Sequence, residues 1–365
     1  MAAGLLAALL LAAASPAALE QRVFDLSLAP RPGPTPRLTP ALSRAARSLA
    51  RDVAAQGPAA LSTSHLRAAL AAAGAFDPSP EVRYERAEPE AAVARAGLAL
   101  RALPATDVGV GAVLVGNAAH VVVLASVRRA TLTPFPARVS PGAVVRLRGA
   151  LAGLRDPRVH LTLPSGEVRE GALGTGPAFE AALSFSEPGR YVLEVTGTGP
   201  RGPTVAVLLP VACGDVPLEE QAASPLPREP ASPEAAERAV AAAVGALRER
   251  QRLAPLAWSA ALAQVARRHS EAMAKAGQVA HVLPGGLGLE ERLRGVRYRR
   301  ALENVASGAS ALAAHGAAEE SPAHRANLLE RGVRELGVGV ARRQLASGEV
   351  EVFVTEILAE PDLGM

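Results

Sequence analysis

The sequence predicts a multidomain α+β protein: a small N-terminal α+β unit, a central β-sandwich and a C-terminal domain mixing helices and strands. Three observations lead there. At 365 residues the chain is too long for one ordinary hydrophobic core. Proline-rich stretches at 20–40 and 214–233 break it into segments. Between and after them the apolar pattern switches from helical spacing to short strand-length runs and back.

Composition limits what the cores and partners can be. Hydrophobic residues make up 49% of the chain but aromatics only 3%, so the cores are built from Ala, Val and Leu. The net charge is +4 and the pI 9.9. The cationic residues, Lys275 aside, are arginines spread along the whole chain rather than interleaved with stacking aromatics. Single-strand nucleic-acid grooves need that interleaving, so no nucleic-acid partner is expected. Cys213 is the only cysteine, which rules out an intrachain disulfide and any cysteine-rich zinc site.

Residues 1–19 (MAAGLLAALLLAAASPAAL) form an apolar run broken by Pro16. Leu5 to Ala14 has the length of a signal-peptide core, and Ala12, Ala13 and Ala14 offer small residues for cleavage. The run is short for a membrane span, and no later segment is apolar enough to cross a bilayer. The expectation is a secreted, periplasmic or cell-envelope protein with a leader at 1–19 and a linker at 20–40 marked by Pro30, Pro32, Pro34, Pro36 and Pro40.

The first folded unit is expected over 41–128. Leu42, Ala45, Ala46, Leu49 and Val53 recur at helical spacing, and a second helix starts at Ser62 or Ser64 and stops at Gly74. Val108–Val113 and Val121–Leu124 then read as a hairpin turning at Gly116-Asn117.

Residues 131–212 predict a β-sandwich. Val144–Leu147, Val159–Leu163, Phe179–Phe185, Tyr191–Val195 and Val205–Val211 have strand length and are punctuated by Pro141-Gly142, Ser165-Gly166 and Pro188-Gly189. The run from Phe179 to Val195 resembles the closing hairpin of an immunoglobulin-like module, which implies a spacer or an adhesive surface. A second linker follows at 214–233.

The last domain, 234–360, opens on Ser232-Pro233-Glu234, a helix cap followed by a first-turn proline and an acid at the positive end of the dipole. Val240, Ala243, Val244 and Leu247 make one apolar stripe, and Leu262, Val265, Ala266, His269 and Met273 another. Glu303-Asn304 is read as a loop segment and Ser321 as the cap of a helix carrying His324 and Asn327. Leu336–Val340 and Val350–Ile357 are β-runs around a Ser347-Gly348 turn.

The ordered set Leu253-x-Pro255-Leu256-x-Trp258, His269-Ser270, His281, Glu303-Asn304-x-Ala306-x-Gly308, Ser321-Pro322-x-His324-Arg325-x-Asn327-Leu328 and Gly337-Val338-Gly339 resembles the bacterial branch of the CAP superfamily. That resemblance implies an α-β-α sandwich for this domain. It implies a cleft in which His281 and His324 are the imidazoles and Glu303 the carboxylate, with Asn304 and Ser321 at its edge. Two neutral imidazoles and a carboxylate suit zinc or another divalent metal with one open position. Without a metal, Glu303 would fix a histidine tautomer.

The sequence departs from the family in having Ala318 before the Ser-Pro pair, Gly245 in the first helix and Thr355-Glu356-Ile357 near the end. It shows no clear second cleft acid, since Glu319 and Glu320 are expected to face solvent. His269, on an apolar stripe, reads as a core histidine. Gly337 and Gly339 lie in a strand-like run, with no helix start to hold phosphate. No Gly-x-Ser-x-Gly elbow surrounds Ser321.

Three functions stay open on these residues. One is a secreted, non-enzymatic binding protein for a lipid, glycan or other cell-envelope component. Another is a metal-dependent hydrolase using His281, His324 and Glu303, and the last a structural envelope protein with a vestigial cleft. Ser62-x-x-His65 and Val108-Gly109-Val110-Gly111 also echo Ser321-x-x-His324 and Gly337-Val338-Gly339. The first unit is therefore also read as a degenerate relative of the last, lacking the Glu-Asn element.

Overall fold

A computed structural model describes residues 15–30, 33–219, 229–345 and 350–362. The expected leader up to residue 14, part of the second linker and the Ser347-Gly348 turn lie outside the described residues. The chain divides into two compact units, the first comprising 1–152, 177–191 and 206–222, the second 153–176, 192–205 and 223–365.

The first unit begins with helix α1 (Pro16–Ser27), capped by Ser15, whose hydroxyl accepts from the Ala18 amide. Strand β1 (Arg37–Leu38), α2 (Pro40–Gln56), α3 (Thr63–Ala72), β2 (Glu81–Ala87), α4 (Pro89–Ala102), β3 (Asp107–Val115) and β4 (Ala118–Ser126) follow. The sheet order is β1-β3-β4-β2, with β1 parallel to β3 and the other pairs antiparallel. The expected hairpin is present, and Gly116 turns it in the left-handed region at φ 57°.

Two sequence expectations are corrected here. Leu19 and Val23 are fully buried with Ala92, Val93 and Leu100 in the core of this unit. A leader ending at residue 19 would therefore remove a core side chain, and residues 20–27 are helix rather than linker. The missed helix starts on Pro16, where the missing N–H costs nothing, and ends before the prolines at 30–40 begin.

In the region expected as a sandwich, the strands are β5 (Ala130–Leu132), β6 (Arg138–Val139), β7 (Ala143–Leu151), β8 (Arg155–Thr162), β9 (Val168–Ala172), β10 (Ala178–Phe185), β11 (Gly189–Gly199) and β12 (Gly202–Cys213). They form a three-stranded sheet ordered β10-β7-β5 and a five-stranded sheet ordered β6-β12-β11-β8-β9. The expected hairpin from Phe179 to Val195 does not form, because β10 and β11 belong to different sheets. Between them the chain turns through Gly189 at φ 145°, and Tyr191 is anchored by its hydroxyl on the Glu187 carbonyl at 3.1 Å.

The second unit carries the C-terminal domain: α5 (Pro233–Arg250), β13 (Ala257–Trp258), α6 (Ala260–Ala276), α7 (Leu289–Arg292), β14 (Arg300–Gly308), α8 (Ala311–Glu320), α9 (Pro322–Leu328), β15 (Glu335–Gln344) and β16 (Val350–Glu360). Its sheet runs β13-β15-β16-β14. The core on one side joins Val240, Val244 and Leu247 of α5 to Val338 and Val354; on the other, Leu262 and Val265 of α6 meet Ile357. Helices therefore cover both faces of the sheet.

α6 lies so close to β15 that a Cβ on Gly337 or Gly339 would collide with the helix backbone at Leu262–Ala263 and Ala266–Arg267. Buried Arg248 donates to the carbonyls of Ala254 at 2.9 Å and Leu328 at 2.7 Å, tying α5 to the end of α9.

Candidate functional site

β14 is an edge strand, so side chains from its two faces reach the same open flank. Glu303 points to the α6 side. Its Oε1 pairs with His281 Nδ1 at 2.9 Å and accepts from Arg292 Nη2 at 2.9 Å. Arg292 Nη1 lies 2.7 Å from Oε2, and Nη2 also donates to the His281 carbonyl at 3.2 Å. Burial alone pushes the Glu303 carboxyl up, but His281 and Arg292 together outweigh it and hold it below the usual carboxylate range.

The next residue, Asn304, faces the α8–α9 side. It is fully buried, and its amide donates to Glu356 Oε2 at 3.0 Å and to the His324 carbonyl at 3.2 Å. Asn327 donates to Asn304 Oδ1 at 2.9 Å. Glu356 in turn holds His315 Nδ1 at 2.6 Å. Burial lowers the His315 pKa, yet the attraction and hydrogen bond of Glu356 win and leave it raised. Asn304 and Glu356 thus join His315 of α8 to the His324 carbonyl of α9.

His281 and His324 meet around the edge of β14, their ring centroids 6.4 Å apart and tilted by 39°. Burial, helped by His281, pushes His324 down to about 4, so it is neutral at pH 7. A cavity of about 320 Å³ lies beside Arg292, walled by Val265, Leu283 and Leu287 with His269 and Arg268.

The predicted residues His281, Glu303 and His324 thus come to one flank, and Asn304 braces it from beneath. Glu303-Asn304 lies in a strand rather than in a loop, since the cross-strand pairing of Asn304 with Glu356 overrides the polar local sequence. Ser321 occupies the cap position of α9 but does not cap with its own side chain. Its hydroxyl donates to Glu194 Oε2 at 2.7 Å, and the Ala323 amide donates to Glu194 Oε1 at 3.1 Å, so a carboxylate from β11 sits at the helix start. His269 is a core histidine bonded to the Ala280 carbonyl at 2.9 Å. Glu319 is not a solvent-facing acid: it pairs with Arg250 at 2.9 Å and Arg325 at 3.2 Å.

Sequence reasoning missed Arg292, His315 and Glu356. Glu356 stood in plain view as a departure from the family pattern, and it supplies a second buried carboxylate.

Among the described residues no cluster of His, Cys, Asp and Glu has the arrangement to hold a metal ion. The reason lies in Glu303, whose carboxylate is already occupied by the Arg292 guanidinium and by His281. A guanidinium at that distance competes with a cation for the same oxygens. The residues do not fit the implied zinc.

Residues 241–356 match the profile of CAP, the cysteine-rich secretory protein family. Among solved structures, the chain is similar to an outer surface protein of Borrelia burgdorferi (18% identity, TM-score 0.31, covering 35% of this chain and 95% of that one). It is also similar to an extracellular protein containing an SCP domain from Bacillus anthracis (21%, 0.32, 49% and 66%). A third is a cysteine-rich secretory protein from Staphylococcus aureus (14%, 0.29, 59% and 76%). No curated protein matches the chain. Among the described residues no helix is long and apolar enough to cross a membrane. The profile match and the order of the quoted motifs identify residues 241–356 as a CAP domain of the cysteine-rich secretory protein family.

Proposed function

We propose that this chain is an exported, non-enzymatic binding protein whose CAP cleft engages a cell-envelope or extracellular component, a lipid or a glycan. The observation that carries the reading is the electrostatic state of the flank. Glu303 is already bonded by His281 and Arg292, His324 is held neutral, and the Ser321 hydroxyl is committed to Glu194. Such a site offers hydrogen bonds and shape but no activated nucleophile. The immunoglobulin-like reading of the strands between 131 and 212 assigns them a spacer role, supported by the Tyr191 anchor. The N-terminal unit is read as a CAP-like relative whose cleft positions have been lost.

A hydrolase is the second reading. One observation favours it: His281 gives Nδ1 to Glu303, which leaves Nε2 as an oriented base. The Arg292 pair speaks against the metal-dependent form of that chemistry.

The test is co-sedimentation of the purified chain with anionic and zwitterionic lipid vesicles and with purified peptidoglycan sacculi. It is run beside a turnover panel of peptides, esters and glycans. Retention on one of these surfaces that falls about tenfold in His324→Ala, with no turnover, is the expected result. Turnover abolished by His281→Ala would replace the binding reading with the hydrolase.

A further inference from the structure

The strand pair β8–β11 in the second unit turns a polar face inward. His160 pairs with Glu194, Thr162 with Val192 and Thr196 with Arg158, and directly paired residues share a face. His160, Thr162, Glu194 and Thr196 therefore point one way, away from apolar Leu193 and Val195. Polar strand faces ordinarily meet water, yet Glu194, His160 and Thr196 are 0, 5 and 7% exposed. What covers them is the CAP domain. β8 packs on α9, and Glu194 seats the first turn of that helix. Arg325 donates to the Gly166 carbonyl at 2.9 Å, and the Val282 amide donates to the Arg201 carbonyl at 3.2 Å beside His281.

Polar atoms without partners gather at this junction. Among the described residues, buried His160 Nδ1 and Thr162 Oγ1 have no hydrogen-bond partner. His160 Nδ1 lies 3.4 Å from Glu170 Oε2 but out of hydrogen-bonding geometry, while Nε2 meets Thr196 Oγ1 at 3.3 Å. His281 uses only Nδ1, and the centroid of the His324 ring lies 6.4 Å from that of His281. Leaving a buried polar atom unmade is costly, and such groups persist where a water or a ligand supplies the missing partner.

We propose that β8 and β11 complete the CAP cleft into a composite site for a short, uncharged saccharide, with His160 and Thr162 contributed from outside the CAP domain. The inference rests on the reading of the cleft as a binding site. Its chemistry follows from charge. The carboxylates around the imidazoles are already engaged, Glu303 by Arg292, Glu194 by the start of α9 and Glu170 by Arg158 at 3.4 Å. Neutral His160 and His324 and the Thr162 hydroxyl can each donate or accept. Sugar hydroxyls, which do both, match them, whereas an ionic ligand would leave a charge without compensation.

The experiment titrates the full chain, in EDTA, with cellotetraose, maltotetraose and the β-1,4-linked tetramer of N-acetylglucosamine. Calorimetry reads affinity, and ring-nitrogen NMR reads the histidines. The expected result is binding of at least one tetrasaccharide, a shift of the His160 ring signals, and a loss of about tenfold in His160→Gln and in the near-isosteric Thr162→Val. If no tetrasaccharide binds, or if His160 does not respond because water alone fills the junction, the proposal falls. If His281→Ala weakens binding while the His160 and Thr162 variants retain wild-type affinity, the ligand sits in the CAP cleft alone. That outcome overturns the composite site and leaves the binding function standing.

Discussion

The N-terminal unit and the CAP domain share one strand order and one close helix–strand contact, and they differ in the residues of the strand that pairs last. Both sheets place a short first strand parallel to the third, followed by two antiparallel neighbours in the same order, β1-β3-β4-β2 and β13-β15-β16-β14. Registers correspond as well: Leu38 pairs with Val108 as Trp258 does with Leu336, and Gly109 with Leu124 as Gly337 does with Ile357. In each, a helix presses on a strand so tightly that only glycine fits. Gly109 and Gly111 would collide with the α2 backbone, as Gly337 and Gly339 would with α6.

In each unit a buried glutamate from the first helix also bonds an arginine of the second helix and a backbone amide of the glycine strand. Glu20 holds Arg47 at 2.6 Å and accepts from the Ala112 amide at 3.1 Å. Glu237 holds Arg267 at 2.6 Å and accepts from the Val340 amide at 3.3 Å. At the cleft the correspondence ends. The registers that carry Glu303 and Asn304 in the CAP domain carry Val82 and Arg83 in the first unit, and Val123 stands for Glu356. The close helix–strand packing and the polar cluster are therefore separable: the first unit has the packing without the cluster.

The largest expected effect tests the shared scaffold. Gly111→Val and Gly339→Val each force a side chain into a helix backbone and should cost about 3 kcal/mol. The check is denaturant melts combined with hydrogen exchange resolved to each unit. If Gly111→Val is neutral while Gly339→Val unfolds the CAP domain, the equivalence of the two units is broken.

Acid separates the two units next. His324 titrates near pH 4 when folded and at about 6.5 when unfolded, so the unfolded chain binds the proton first. Its contribution to stability is complete above pH 6.5 and is lost as pH falls toward 4, amounting to about 3 kcal/mol. His315, whose pKa is raised, works in the opposite direction: its stabilisation is present below 6.5 and is lost as pH rises through the folded value. Hydrogen exchange in the CAP domain should accelerate between pH 6.5 and 4, and His324→Gln should flatten that dependence. An unchanged profile in that variant would remove His324 from the account.

The smallest effect sharpens the comparison. Glu20→Ala and Glu237→Ala each leave a backbone amide without its acceptor and should cost about 2 kcal/mol apiece, their arginines being partly solvated. Equal losses by chemical denaturation support a common role. A loss confined to Glu237→Ala would make the Glu20 geometry incidental.

Much of this was legible along the chain. The Ser232-Pro233 start, the α6 stripe and the hairpin turning at Gly116 are local signals, and local signals survive folding. The glycines of both units sit where a helix backbone presses on a strand, a contact that admits no Cβ. The Ser-x-x-His echo does not hold: Ser62 caps α3, and His65 bonds Asp52 at 2.9 Å, in an element that does not correspond to α9. The site was half legible. His281, Glu303 and His324 sit in ordered motifs, whereas Arg292, His315 and Glu356 carry no motif and enter only through distance.

By itself the sequence determined the helices over the apolar stripes, the capped starts at Ser62 and Ser232 and the order of the CAP motifs, since each depends on neighbours a few positions away. The tertiary structure decided which side chains meet. It put Glu303 under a guanidinium, turned Ser321 from a cap into a donor to Glu194, and packed β8 against α9. Those outcomes depend on how an edge strand brings distant segments together, and hydrogen-bond partners far apart in the chain leave no periodic mark on it.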